Sequence, residues 1–107
     1  MPVHAATAPN AVLRILPALP KEIWAASLAA AWAATVAVTA AYAPVTGRPA
    51  PPVTATLDPA DVVRLAVDSG GPHAITFADA VLDAYALTGD AALLAVSVRA
   101  TEQTGPW

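Results

Sequence analysis

Cysteine is absent from this 107-residue chain. That excludes disulfides, thiolate catalysis and cysteine-ligated zinc. Charge is scarce as well. Asp, Glu, Lys and Arg make up 12% of the residues, against about 25% in an ordinary globular domain. The five basic residues lie between Arg14 and Arg99 with no two adjacent. No phosphate-binding stripe can be assembled from them, so a nucleic-acid partner is not expected. Large side chains are also few. The chain holds one Phe, one Met, two Tyr and three Trp, although hydrophobic residues reach 57%. Alanine is the largest part of that fraction. It favours helices but buries little area per residue.

A chain of this length accommodates one domain, or a small domain with an appendage, and not a large enclosed active site. With so few charged groups to face water, its apolar surface has to be hidden in itself, in a partner or in a membrane. The start of the chain does not read as a secretory signal. Met1 to Pro9 carries no basic residue, and prolines interrupt the next stretch.

Punctuation divides the chain into elements. Met1–Asn10 reads as a loose leader, with Asn10 capping a short helix over Ala11–Leu16 that Pro17 and Pro20 close. A long helix is predicted from Pro20 or Lys21 to Tyr42, ended by Pro44 because the residue before a proline disfavours helical geometry. Pro44 to Pro52 is a proline-rich linker. Asp58, Pro59 and Asp61 then form an N-cap, a first-turn proline and an acid at the positive end of a helix dipole. This helix is predicted to run to Ser69 and stop at Gly70-Gly71. Thr76 and Asp79 repeat a cap pattern for a helix ending at Thr88-Gly89, and Asp90 caps a last one from Ala91 to Gln103.

The predicted fold class is therefore all-α, a small bundle of four to five helices. The segments are 1–43 (leader, short helix and long apolar helix), 44–57 (linker) and 58–107 (small helical domain). An α+β alternative pairs short strands at Val53–Leu57 and Leu94–Val98, since Leu94, Val96 and Val98 alternate with smaller or polar residues.

Candidate chemistry is thin. Asp79 and Asp83 share a helix face, but two carboxylates fall short of a divalent-cation site. Asp61, Arg64 and Asp68 read as a solvated helix face. His73, in Gly70-Gly71-Pro72-His73, reads as a loop histidine with Asp68 and Asp79 nearby in sequence and Ser69 or Thr76 as candidate nucleophiles. No oxyanion hole or triad spacing accompanies them. Gly70-Gly71 lacks the further glycine and lysine of a phosphate loop. Phe77–Arg99 has a helix–turn–helix outline, but its second helix offers Ala91, Ala92, Leu93 and Leu94 where a DNA reader needs polar and basic groups. No catalytic residue, metal or cofactor is expected.

What stands out is the long helix. No charged residue occurs between Ile23 and Gly47. Trp24, Leu28, Trp32, Val36, Thr39 and Tyr42 recur at spacings of three and four, a stripe of larger residues on a bed of alanines. The stripe is the candidate packing or partner-binding surface. The first expectation is a non-enzymatic interaction or accessory protein, cytoplasmic, that buries this helix against itself or a protein partner. The alternative is a single membrane span over about Ile23–Ala43 with a small soluble helical domain after it. Roughly 20 uncharged residues suffice to cross a bilayer. Against a span stand Ser27, Thr35, Thr39 and a mid-helix Trp32. In its favour are Ile23, Leu28, Val36 and Val38, each contributing about −0.3 to −0.6 kcal/mol to insertion.

Overall fold

The computed structural model describes residues 2–49, 52 and 56–104. It is all-α. Five α-helices and two short 3-10 turns are present, with no strand among the described residues. The chain divides into two compact units, Met1–Gly47 and Arg48–Trp107. Each is described by itself.

The first unit is a helical hairpin. Helix α1 spans His4–Ile15, a 3-10 turn covers Leu16–Ala18 and another covers Lys21–Ile23. Helix α2 comes next, over Trp24–Tyr42. The turn is fixed by the Trp24 indole, whose Nε1 donates to the Leu19 carbonyl at 2.9 Å. Leu16 is buried in this turn.

Helix α1 corrects the expectation of a loose leader with Asn10 as a cap. The helix begins at His4 and carries Pro9 and Asn10 in its interior. An interior proline removes the N–H that would donate to the carbonyl four residues back. Here that carbonyl belongs to Ala5, and the Thr35 hydroxyl of α2 donates to it at 3.2 Å. At Pro9, where the helix loses its own donor, the neighbouring helix supplies one. The same contact shows that α1 and α2 run antiparallel.

The second unit is a three-helix bundle of α3 (Pro59–Ser69), α4 (Pro72–Thr88) and α5 (Ala91–Thr104). Asp58 caps α3 as expected. Its Oδ1 accepts from Ala60 N at 2.8 Å, and Asp61 Oδ2 accepts from Asp58 N at 3.4 Å, a capping box built from two aspartates. Gly70 ends α3 and Gly89 ends α4, both in the left-handed region at φ 65° and 67°, where a side chain would be strained. Asp90 Oδ1 accepts from Ala92 N at 3.0 Å at the start of α5.

Two expectations for this unit are overturned. Thr76 does not open α4, which starts at Pro72 straight after the Gly70 terminator and has Gly71 as its N-cap. Proline suits a first helical position, as at Pro59. Thr76 lies one turn in, donating to the Pro72 carbonyl at 2.9 Å. The strand at Leu94–Val98 is also absent, since those residues lie inside α5. Its proposed mate falls partly outside the described residues, at Val53, Thr54 and Ala55. Thr56 and Leu57 are irregular.

Val62, Ala66, Ala78 and Leu94 form the core of the bundle, with Leu57, Leu82, Tyr85 and Val98 packed around them. Val62 and Leu94 are each 1% exposed. Ala74, Ala78 and Ala80 are buried on α4, and small residues there let helix backbones approach closely. Ser97 is buried among these helices, and its Oγ has no hydrogen-bond partner.

Candidate functional site

The residues with possible chemistry are occupied structurally. His73 lies in the first turn of α4 rather than in a loop, and it is half-buried. Ser69 Oγ donates to the Ala66 carbonyl at 2.7 Å and accepts from Gly71 N at 3.2 Å. Thr76 Oγ1 faces the Pro72 and His73 carbonyls. Both candidate nucleophiles thus serve helix ends and helix backbone. Asp79 and Asp83 sit one turn apart on α4, and each is already engaged with another group. No group of three or more His, Asp or Glu converges among the described residues. Arg64 bridges Asp61 at 3.3 Å and Asp68 at 4.0 Å on an open face, as the spacing of those residues implies.

The hairpin is where an unsatisfied surface lies. Toward α1, helix α2 turns Trp24, Ser27, Ala31, Thr35 and Val38, of which Ala31 is buried and the rest half-buried. Small side chains on this line permit close approach of the two backbones. From α1 come Ala5, Pro9 and Val12, all half-buried, and the buried Leu16 of the adjoining turn.

The stripe read from sequence lies mainly elsewhere. Trp24 is shared by both lines. Leu28, Trp32 and Val36 are rotated about 100° from Ser27, Ala31 and Thr35, because each is one residue further along. They are 45%, 70% and 48% exposed. Thr39 and Tyr42 are exposed too. Apart from Trp24, the stripe is therefore not the face of α2 that packs on α1, and it stays open on the surface of the hairpin. In an alanine-rich helix every side is apolar, so the spacing of the larger residues does not select the packed face.

The remaining sides of α2 are apolar as well. Ala25, Ala26, Ala29, Ala30, Ala33, Ala34 and Ala37 are all exposed. Leu13 and Ile15 of α1 add to the uncovered area. Surface leucines scattered singly need no explanation, but a continuous apolar surface does.

No family model, curated protein or solved structure matches this chain.

The polar atoms of α2 are handled in a way the sequence did not reveal. Ser27 Oγ donates to the Ile23 carbonyl at 2.8 Å, and Thr35 Oγ1 donates to Ala5. Two of the three hydroxyls that weigh against an apolar environment are thus hydrogen-bonded to backbone, which lowers the cost of removing them from water. Among the described residues, Lys21–Tyr42 is the helical segment long and apolar enough to cross a membrane.

Proposed function

We propose that this is a non-enzymatic, membrane-anchored helical protein whose long helix α2 spans the lipid bilayer and whose Arg48–Trp107 bundle stays in water. The observation that carries this reading is the exposure of α2 on the sides that α1 leaves open. A helix that is apolar all round belongs in a core or in a membrane. Its 19 residues rise about 28 Å at 1.5 Å per residue, close to the roughly 30 Å of bilayer hydrocarbon. Lys21 and Glu22 precede it, Arg48 lies beyond its other end, and Trp24 and Tyr42 stand at its two ends. Aromatic residues favour that headgroup level.

A second reading keeps the helix in water against a protein partner. Trp32 favours it, being exposed near the middle of α2, where hydrocarbon is a poorer environment for an indole than the interface. In that case the partner covers the Leu28–Trp32–Val36 line.

Leu28→Asp and Ala26→Asp separate the two. The positions lie roughly 160° apart around the helix. In a membrane both carboxylates oppose insertion, each by less than the about 2.5 to 3.5 kcal/mol of a helix centre because both lie near its first turn. Both variants should then leave the washed membrane fraction in which the parent is found. Parent protein in the soluble fraction, with Leu28→Asp severe and Ala26→Asp mild, would overturn the membrane reading in favour of a partner on one face.

A further inference from the structure

We infer that α1 crosses the bilayer together with α2, so that the membrane element is a helical hairpin with its closed end on one side and both open ends on the other. This rests on the membrane reading and extends it to a segment that a single span leaves outside.

The argument starts from the Ala5 carbonyl. A backbone carbonyl freed by a proline is readily hydrated in water, but in hydrocarbon it has to find a protein donor. The Thr35 hydroxyl meets it at 3.2 Å. Thr35 lies 11 residues into α2 from Trp24, about 16 Å along the helix at 1.5 Å per residue. Ala5 is thereby held level with the interior of the span rather than with its edge. A neighbouring Ser or Thr that satisfies the carbonyl freed by an interior proline is a recurrent arrangement in membrane helices.

Charge placement agrees. Arg14, Lys21 and Glu22 all lie around the turn that closes the hairpin. His4 is at the opposite end of α1, and Arg48 lies past the opposite end of α2. Between His4 and Arg14 no residue of α1 is ionisable. Leu13 and Ile15 turn outward with Ala8 and Ala11, which extends the apolar exterior of α2 across α1. The 12 residues of α1 rise about 18 Å, so the bilayer thins locally around the hairpin, and the long Arg14 side chain reaches back to the headgroups at its closed end. The occupant of the outer surface is accordingly lipid hydrocarbon.

The absence of cysteine makes the topology directly testable, because each introduced thiol is unique. Pro2, Ala18 and Thr46 are exposed and lie before α1, in the closed end and after α2. Three double variants of the full chain carry Pro2→Cys with Ala18→Cys, Ala18→Cys with Thr46→Cys, and Pro2→Cys with Thr46→Cys. Each is reconstituted in sealed phosphatidylcholine–phosphatidylglycerol vesicles and treated with a membrane-impermeant maleimide. Labels per molecule are counted by mass, so a mixture of orientations does not matter. A hairpin gives one label per molecule for the first two pairs, and none or two for Pro2 with Thr46. A single span with α1 outside instead gives none or two for Pro2 with Ala18 and one for the other pairs, which overturns the hairpin while keeping the membrane reading. All three pairs behaving alike would mean that the chain crosses nowhere, and both proposals fall.

Discussion

The two units of this protein differ in which of their large side chains are buried. In the Arg48–Trp107 bundle Leu94 and Val62 are each 1% exposed at the core, while Val67 and Leu87 stand outward on its surface. Its ion pairs, Arg64 with Asp61 and Arg99 with Glu102, face outward. In the Met1–Gly47 hairpin the small residues go inward, with Ala31 buried between Ser27 and Thr35, while Leu28, Trp32 and Val36 face outward. A bundle in water gains by removing its largest apolar groups from solvent. Between helices surrounded by lipid that gain vanishes, and close packing of small residues with interhelical hydrogen bonds replaces it. The contrast motivates the membrane reading, and it can be attacked from either side.

The largest effect expected lies in the bundle. Leu94→Ala should lower the stability of the bundle transition by about 2 to 5 kcal/mol, through lost burial and the cavity left behind. Trp32→Ala removes a larger side chain from the hairpin and should shift that transition by less than about 0.5 kcal/mol, as surface substitutions do. Retention in membranes should not fall, because an indole at mid-helix opposes insertion rather than favouring it. Chemical denaturation of the full chain measures the first quantity and membrane fractionation the second. Similar loss of stability in both variants would erase the distinction between the units.

The caps come next in size. Asp58→Ala leaves the Ala60 N–H without its side-chain acceptor and breaks the box with Asp61. It should cost about 0.5 to 2 kcal/mol. A denaturation midpoint that does not move, at unchanged slope, would remove Asp58 as the determinant of where α3 starts.

The smallest effect sharpens the hairpin side. Thr35→Val takes the donor from the Ala5 carbonyl and should weaken α1–α2 association by about 1 kcal/mol, with the larger loss wherever water is excluded. Pro9→Ala restores an N–H at the position that normally donates to that carbonyl. In the double variant the Thr35→Val loss should therefore shrink. Amide hydrogen exchange in α1 reads the coupling. Additive losses in the double variant would mean that the hydroxyl does not compensate for the proline.

Sequence determined the local features. The all-α class, the boundaries of α3, the end of α4 at Gly89 and the start of α5 after Asp90 come from caps and terminators that act within a few residues of chain. The uncharged stretch from Ile23 to Gly47 is likewise written in composition. One local signal was present but outranked. Gly71-Pro72 opens α4, yet the Thr76–Asp79 pattern resembles a cap strongly enough to draw the start five residues late. Only the tertiary structure decided the rest. The carbonyl that Pro9 leaves free in α1 is met by a hydroxyl 30 residues away, a partner that no local rule includes. The face of α2 that packs could not be read from the spacing of its large residues, since alanine makes every face apolar and a periodic pattern has no contrast to report. Packing against α1 took the Ser27–Ala31–Thr35 line, and that left Leu28, Trp32 and Val36 outside.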